Sequence, residues 1–389
     1  MSSSWMMNDH EKKALSLYIH YPFCVRKCRY CDFLSFPADA AARQAYLDRL
    51  GAEMAYRSQA FSGYEVTSLF IGGGTPSLMS GDQLLALMDH VRRHFSLRED
   101  AELTMECNPG TVDAEKLSAM RKAGINRISF GLQSARDEEL RLLGRIHSFS
   151  DFLKSYEAAR EAGFDNINVD LMSALPGQSL SSCMESLEAV LALAPEHLSV
   201  YSLIIEPGTP FWDLYGEDAP GKPAIPLPDE DTEREMYHRI CRRLEAAGYD
   251  HYEVSNFARP GRACRHNLVY WRRGEYLGLG LGAASLVDER RFSNTRDLPI
   301  YMSSFAPAEE ERLTEQARME ETMFLGLRCM RGVSEAEFEA AFGKRIGDIY
   351  GPVLEKLCAQ GLLAREKGRF FLTERGLDVA TPVMAAFLL

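Results

Sequence analysis

Three cysteines near the start of the chain have the side chains and the spacing most able to do chemistry. Cys24, Cys28 and Cys31 follow the pattern C-x3-C-x2-C within one short segment. Three thiolates on one loop can each bind one iron of a cubane iron–sulfur cluster, because soft sulfur ligands suit iron in such clusters. The fourth iron then has no protein ligand and can bind a small molecule.

Two other interpretations of this triplet stay open. A structural zinc site would need a fourth ligand, for which His20 is the nearest candidate, and this cysteine spacing is not a usual zinc pattern. The three thiols could also be unrelated to one another. The triplet directly follows the first predicted strand, where the active sites of β/α barrels are found, and this position favours the cluster.

The elements that must position these cysteines alternate between strand and helix patterns. Short apolar runs rich in Val, Ile, Tyr or Phe predict strands at 15–20, 67–71, 103–107, 127–130, 167–171 and 198–203. Helices are predicted near 39–60, 80–95, 113–123, 136–143, 150–163 and 180–194. Parallel strands need helical crossovers, so the series predicts an α/β fold, an open partial (β/α)6 TIM-like barrel over residues 15–205.

The rest of the chain divides into three predicted parts. Residues 1–14 are expected to be a disordered lead-in, and residues 206–306 an extension of the barrel that opens with a proline-rich connection. Residues 307–389 predict a small helical, winged-helix-like C-terminal domain. Its basic residues barely outnumber its acidic ones over 361–376, which is too little for a surface that follows nucleic-acid phosphates.

The amino-acid composition limits which classes of protein the chain can belong to. The chain has 389 residues, of which 46% are hydrophobic and 26% charged, as in soluble globular proteins. No run approaches the ~18 apolar residues of a membrane-spanning helix, and the first residues do not have the pattern of a secretory signal. A net charge of -12 argues against nucleic-acid binding. Nine cysteines, an odd number, indicate a cytoplasmic protein with metal-bound or free thiols.

The cysteine triplet, with Tyr30 just before its last member, resembles the radical S-adenosylmethionine (SAM) superfamily. The glycine run 72–76 and the polar groups that end the next strands resemble, more narrowly, the oxygen-independent coproporphyrinogen III oxidase family. This resemblance implies a [4Fe–4S] cluster on the three cysteines, with SAM bound at its open iron. The positions that match SAM-contacting residues of that family are Tyr18, Gly74, Thr75, Glu106, Gln133, Arg145, Asp170 and Ile204.

Two departures separate the sequence from the true oxidase and point to a related branch. Phe33 stands where the oxidase has a fourth cysteine, and only 14 residues precede the first predicted strand. Both features resemble the heme chaperone (HemW-like) branch, whose H-N-x-x-Y-W pattern matches the run from His266 to Trp271. A histidine can ligate heme iron, and Tyr270 and Trp271 can flank a porphyrin. Five arginines and no acid over 259–273 could hold its propionates.

The leading functional hypothesis is a radical-SAM-type [4Fe–4S] protein that binds heme and passes it to an acceptor protein. It would also need an electron donor and would touch a membrane only through its acceptor. The rival is an enzyme, a SAM-dependent oxidase that decarboxylates the propionates of coproporphyrinogen III. A third hypothesis is a cluster-bearing regulatory or docking module. Whether the chain is an enzyme stays open, because the radical SAM motifs are present while Phe33 replaces the fourth cysteine.

Overall fold

The computed structural model describes residues 12–219, 221 and 223–389, and its first strand begins earlier than predicted. Strand β1 (Lys13–Tyr21) takes in the last two residues of the predicted lead-in. Lys13 and Ala14 belong to it because they pair with Tyr64 and Glu65 of the next strand. Residues 1–11 of the predicted lead-in lie outside the described residues.

The predicted alternation of six strands and six helices is confirmed. The further strands are β2 (Tyr64–Gly73), β3 (Leu97–Cys107), β4 (Arg127–Gln133), β5 (Ile167–Ser173) and β6 (His197–Ser202). The helices are α1 (Ala40–Arg57), α2 (Gly81–His94), α3 (Ala114–Lys122), α4 (Asp137–Leu143), α5 (Phe149–Glu161) and α6 (Leu180–Leu191). Neighbouring strands from β1 to β6 pair in parallel, so their carboxyl ends meet at one edge.

Side-chain caps fix where most of these helices begin. The capping residues are Asp39, Ser80, Asp113, Ser148 and Ser179, and each accepts a hydrogen bond from a backbone N–H in the first turn. A cap of this kind stabilises a helix by about 1 kcal/mol. The start of each helix is therefore specified locally, and each helix then packs its apolar face onto the sheet.

Short strands from the middle of the chain extend the sheet on both sides. They are β7 (Asp250–Glu253), β8 (Asn256–Ala258), β9 (Tyr276–Leu279), β10 (Ala284–Val287), β11 (Arg290–Ser293) and β12 (Glu309–Arg312). Strand β8 pairs antiparallel with β6, whereas β9 pairs parallel with β1. Within the described residues, β12 and β7 end the twelve-stranded sheet and do not pair with each other, so the barrel is open as predicted.

Four helices accompany these added strands. They are α7 (Trp212–Tyr215), α8 (Glu230–Ala246), α9 (Arg265–Trp271) and α10 (Leu298–Ser303). The main hydrophobic core lies between the sheet and the surrounding helices, and side chains such as Leu17, Ile128 and Val169 are fully buried in it. This core holds the strands rigidly and so fixes the direction of the side chains at their ends.

The C-terminal segment has a second hydrophobic core, around Phe338 and Tyr350. Its elements are α11 (Glu315–Gly326), β13 (Val333–Ser334), α12 (Glu335–Phe342), α13 (Ile346–Ala359), β14 (Leu363–Glu366), β15 (Arg369–Leu372), α14 (Glu374–Leu377) and α15 (Ala380–Ala385). The mostly helical segment with a hairpin is thus confirmed. The division after residue 306 stays a prediction, since β12 follows it but pairs with β11 of the large sheet.

A buried ion pair joins this segment to the sheet. Glu253, at the end of β7, is fully buried and accepts a hydrogen bond from the Arg328 guanidinium at 2.6 Å. The Val254 N–H donates to the carbonyl of Arg328, and the Met330 N–H donates to the carbonyl of Tyr252. Across the part of the chain that the structure describes, we find no helix with the length and apolar character needed to span a bilayer.

Candidate cluster and cofactor site

One cavity collects nearly all the predicted site residues. It has a volume of about 710 Å³, begins at the carboxyl ends of β1 to β6, and extends between the strands to α9. The predicted residues that line it are Cys24, Cys28, Cys31, Tyr18, Gly74, Thr75, Glu106, Gln133, Arg145, Asp170, Ile204, His266 and Tyr270. Trp271 alone of the predicted set does not line it. Phe33, 57% exposed, lies at the cavity mouth.

The three cysteines lie on the loop between β1 and α1, and neighbouring chain segments hold this loop in place. The Cys24 N–H donates to the carbonyl of Phe36, and the Arg29 N–H donates to the carbonyl of Leu143. Two side chains also donate to the sulfur atoms: the Thr75 hydroxyl to Cys24 at 3.4 Å and the Arg145 guanidinium to Cys28 at 3.6 Å. Such donors favour thiolates, which are the form that binds iron.

Burial opposes this ionisation at the third cysteine. It raises the pKa of the Cys31 thiol to about 11. Binding of a metal to that sulfur would therefore release a proton at neutral pH, since a coordinated thiol is deprotonated. The loop thus presents three ligands of soft sulfur at the edge of a cavity, two of them with hydrogen-bond donors already in place.

The zinc interpretation needs ligands that converge on one ion. Among the described residues, no three His, Cys, Asp or Glu side chains are grouped to hold a single metal ion. His20, the candidate fourth ligand, has Nδ1 3.0 Å from the Tyr18 hydroxyl and Nε2 2.9 Å from the Leu34 carbonyl oxygen. In a cubane each thiolate binds a different iron, so the thiols need not converge on one point. The donor set therefore fits an iron–sulfur cluster better than zinc.

The glycine-rich turn after β2 brings backbone close to the cysteine loop. The Gly74 N–H donates to the carbonyl of Tyr21, and the Thr75 N–H donates to the carbonyl of Phe23, both at 2.8 Å. Gly73 has a φ of +111°, and a Cβ there would lie 2.6 Å from the His20 ring. Only glycine fits this left-handed, crowded position, so the turn clamps the loop through backbone contacts.

Two buried carboxylates face the cavity from β3 and β5. Burial and, as a smaller effect, the charge of the nearby Asp170 raise the pKa of Glu106 to about 8. The Gly73 N–H donates to this carboxylate at 3.0 Å and lowers the pKa, but by less than the other two effects raise it. Burial also raises the pKa of Asp170, which accepts a hydrogen bond from Asn168 at 2.7 Å. Two carboxylates buried in one cavity favour a cationic or hydroxyl-bearing ligand, because such a ligand offsets the cost of their burial.

Arg145 and Gln133 complete this end of the cavity. The Arg145 guanidinium donates to Asn108 at 2.9 Å and to the carbonyl of Gly131, while its buried Nε has no partner among the described residues. Gln133 has a φ of +77° and accepts a hydrogen bond from the Tyr201 hydroxyl at 3.0 Å. Tyr201 was missed at the sequence level, because an aromatic residue inside an apolar strand resembles ordinary core.

Helix α9 carries the H-N-x-x-Y-W run and is fixed by a buried carboxylate. Glu102 of β3 accepts hydrogen bonds from the backbone N–H groups of Arg265 and His266, at 3.1 and 3.0 Å. Both ring nitrogens of His266 have partners at 3.0 Å: the Ser68 hydroxyl at Nδ1 and the Tyr270 hydroxyl at Nε2. His266 and Tyr270 therefore form a hydrogen-bonded pair at the interior end of the cavity.

Trp271 lies on the other side of the same helix. It lines a second cavity, of about 1070 Å³, between α9 and the C-terminal segment. The Arg328 guanidinium lies 4.4 Å from the centre of a Trp271 ring, a cation–π distance. The structure thus brings His266 and Tyr270 together with the cysteines but places Trp271 apart from them.

Comparisons with known proteins agree with this site. The profile of the radical SAM superfamily matches residues 18–190, and that of the HemN C-terminal domain matches residues 313–379. The heme chaperone HemW of Escherichia coli is 39% identical over 386 residues, covering 96% of this chain and 98% of that protein. HemW of Bacillus subtilis is 38% identical over 379 residues, covering 96% of this chain and 99% of its own length.

The fold of this chain is also similar to that of a solved structure, over most of the length of both chains. Coproporphyrinogen III oxidase (HemN) from Escherichia coli superposes with a TM-score of 0.84 at 25% identity, covering 98% of this chain and 91% of the oxidase. The open barrel and its cysteine loop thus define a radical SAM protein. Within that class, the two HemW proteins are 38% and 39% identical to this chain, against 25% for the oxidase, and the chain belongs to the HemW family.

Membership in the radical SAM superfamily implies a [4Fe–4S] cluster and SAM as cofactors. The residues present fit both groups: three thiols on one clamped loop, two buried carboxylates and an unpaired guanidinium nitrogen on Arg145. When bound, the cluster supplies a one-electron reductant and an open iron site for SAM. The chain itself would hold the cluster through the three cysteines, would pair cationic and anionic groups of a ligand, and would surround them with strands that limit access of water.

Glu106 offers a test of the carboxylate end of this site. We expect Glu106→Gln to weaken SAM binding about 10- to 100-fold, because the neutral amide loses a charge-assisted contact. In the native chain, SAM should bind more tightly as pH rises toward the Glu106 pKa of about 8, since only the ionised carboxylate attracts a cation. Equilibrium dialysis of SAM on either side of that pH checks both effects. The exposed Glu157→Gln is the matched control, and a pH dependence retained by Glu106→Gln would contradict this assignment.

Proposed function

We propose that this protein is a heme chaperone, which binds heme beside its iron–sulfur site and transfers it to an acceptor protein. Relatives that carry the name heme chaperone HemW, 34–39% identical over nearly the whole chain in the bacterial examples, support this function. Phe33 in place of a fourth cysteine supports it over the oxidase. The acceptor and the electron donor stay predictions.

One observation carries the proposal: the His266–Tyr270 pair lies at the interior end of the cavity that the cysteines open. Burial, and next the positive charge of Arg127, lower the pKa of His266 to about 3, so its ring is neutral at physiological pH. A neutral imidazole is the form that ligates iron. Among the described residues, its Nε2 has one hydrogen-bond partner, the Tyr270 hydroxyl 3.0 Å away, which a metal would displace.

We further propose how the ligands divide the cavity. SAM occupies the end with the cysteines, where the matching positions are Tyr18, Gly74, Thr75, Glu106, Gln133, Arg145, Asp170 and Ile204. Heme contacts His266 and Tyr270 at the end formed by α9. Trp271 lies on the side of α9 that faces the second cavity and stabilises the helix through its contact with Arg328.

A pair of variants on α9 tests this proposal. We expect His266→Ala to weaken heme binding by more than about tenfold, equivalent to ~1.4 kcal/mol, because it removes the proposed iron ligand. Tyr270→Phe should leave heme binding unchanged or tighten it, since it removes the group that occupies Nε2. Titration of the reconstituted chain with heme, followed by the Soret absorbance, measures both.

Three outcomes would contradict the proposal. Absence of heme binding by the native chain would remove the chaperone function. Equal binding by His266→Ala would remove the role of that histidine. Stoichiometric conversion of coproporphyrinogen III, with SAM cleavage under a reductant and without oxygen, would favour the oxidase instead.

A further inference from the structure

Arg127 is a buried cation without a partner. It begins β4, is 1% exposed, and its side chain lines the cavity described above. Its Nε is shielded from solvent and has no hydrogen-bond partner among the described residues. An ionised group buried without a pair is destabilising, and an arginine cannot lose its charge to remove that cost.

The two nearest carboxylates are already occupied by other donors. Glu102 accepts from the backbone N–H groups of Arg265 and His266 and from the Cys264 thiol. Asp170 accepts from Asn168 at 2.7 Å and from Ser129 at 3.4 Å. Both carboxylates act on Arg127 only through their charge. The fold thus maintains a guanidinium whose hydrogen-bonding capacity is unused, at a position open to the cavity.

The position of Arg127 separates it from the cysteine end. Arg145 donates to the carbonyl of Gly131, which lies four residues further along the same strand. Four residues of parallel strand span about 13 Å at ~3.3 Å each, so the backbone of Arg127 lies that far from Gly131, toward the amino end of β4. Around it the cavity is lined by hydroxyl and amide side chains, Ser129, Asn168 and Asn256, and by His266. A polar interior with one free cation suits an anionic group.

We propose that Arg127 forms a carboxylate-binding subsite at the interior end of the cavity, and that it receives a propionate of the heme. This inference rests on the proposed function. A guanidinium binds a carboxylate through two parallel hydrogen bonds, and the ligand's charge then provides the partner that the protein lacks. SAM also has a carboxylate, but the cysteine end has cations of its own, among them Arg145, whose guanidinium lies 3.6 Å from the Cys28 sulfur.

The test compares heme with its dimethyl ester, in which both propionates are blocked, both delivered in the same detergent to the full chain. We expect the native chain to bind heme about 10- to 100-fold more tightly than the ester, because a charge-assisted contact is lost. Arg127→Met should bind both with the weaker affinity. Arg331→Met, which removes an exposed arginine from the second cavity, is the matched control and should behave as native.

Stability provides a second readout. Removing an uncompensated buried charge should leave the thermal midpoint of the unliganded chain unchanged or raise it, whereas a structural arginine would lower it. The subsite is ruled out, and the proposed function retained, if the native chain binds heme and Arg127→Met binds it equally well. The same holds if Arg331→Met loses as much heme affinity as Arg127→Met. A weakened affinity of Arg127→Met for SAM, with heme unaffected, assigns the carboxylate to SAM and also overturns it. A native chain that binds no heme overturns the proposed function together with the subsite.

Discussion

Replacement of Cys28 by alanine should leave the anaerobically reconstituted protein almost free of iron and sulfide. The intact cluster corresponds to about four irons per chain, held here by three thiolates on one loop. Cys28 is the middle cysteine of the loop and accepts a hydrogen bond from the Arg145 guanidinium at 3.6 Å, so its loss removes a sulfur whose negative charge this donor would stabilise. Two remaining thiolates cannot hold three corners of a cubane. Iron and sulfide analysis, with the visible absorbance of the cluster, measures the loss.

Cys107 provides a matched control for this variant. Its thiol lies at the end of β3 and lines the same cavity, yet burial raises its pKa well above the usual range. Because it ends β3 and does not belong to the cysteine loop, Cys107→Ala should retain full iron content. A cubane that survives in Cys28→Ala would place the ligands elsewhere, and a native protein that holds only zinc would restore the zinc interpretation.

The alternation of strands and helices could be predicted because each element carries a local signal. Apolar strand runs and N-terminal caps such as Ser80 and Ser148 lie within the elements they specify. The pairing of β9 with β1 has no such local signal, because it joins residues that are far apart in the sequence, such as Tyr276 and Ser16.

The cysteine end of the site could be predicted for a topological reason. Consecutive parallel strands bring their carboxyl ends to one edge, so residues such as Glu106 and Gln133 had to meet the cysteine loop. The α9 end required tertiary information. His266 and Tyr270 are four residues apart and share a helix face, but Trp271 is rotated by about 100° from Tyr270. A run that is contiguous in sequence is therefore divided between two cavities.

Arg127 was missed for a different reason. It follows the polar Asn126 at the start of a strand, where an arginine is usually exposed to solvent. Glu102 of β3 accepts from the first backbone N–H groups of α9, so it does not pair with the guanidinium. A buried charge without a partner follows from three-dimensional arrangement, and no local pattern predicts it.

The turn that clamps the cysteine loop gives the second large effect. We expect Gly74→Ala to reduce the free energy of unfolding by about 1–3 kcal/mol, the usual cost of overpacking. A Cβ at position 74 would lie 2.7 Å from the backbone oxygen of Phe23 and 2.9 Å from its backbone nitrogen. These are backbone atoms that cannot rotate away, so Phe23 must move, and Cys24 follows it directly in the chain. Iron content should fall together with stability.

Gly63→Ala separates this steric effect from the general effect of replacing glycine. A Cβ at position 63 would meet nothing within 4 Å, so the same change should leave both stability and iron content close to native. Thermal unfolding and iron analysis of the two variants side by side make the comparison. Because Thr75 also donates to the Cys24 sulfur, a displaced turn removes a hydrogen bond from the cluster ligand as well as its backbone support. Full iron content in Gly74→Ala would mean that the cysteine loop is positioned by its contacts with Phe36 and Leu143, and not by the glycine-rich turn.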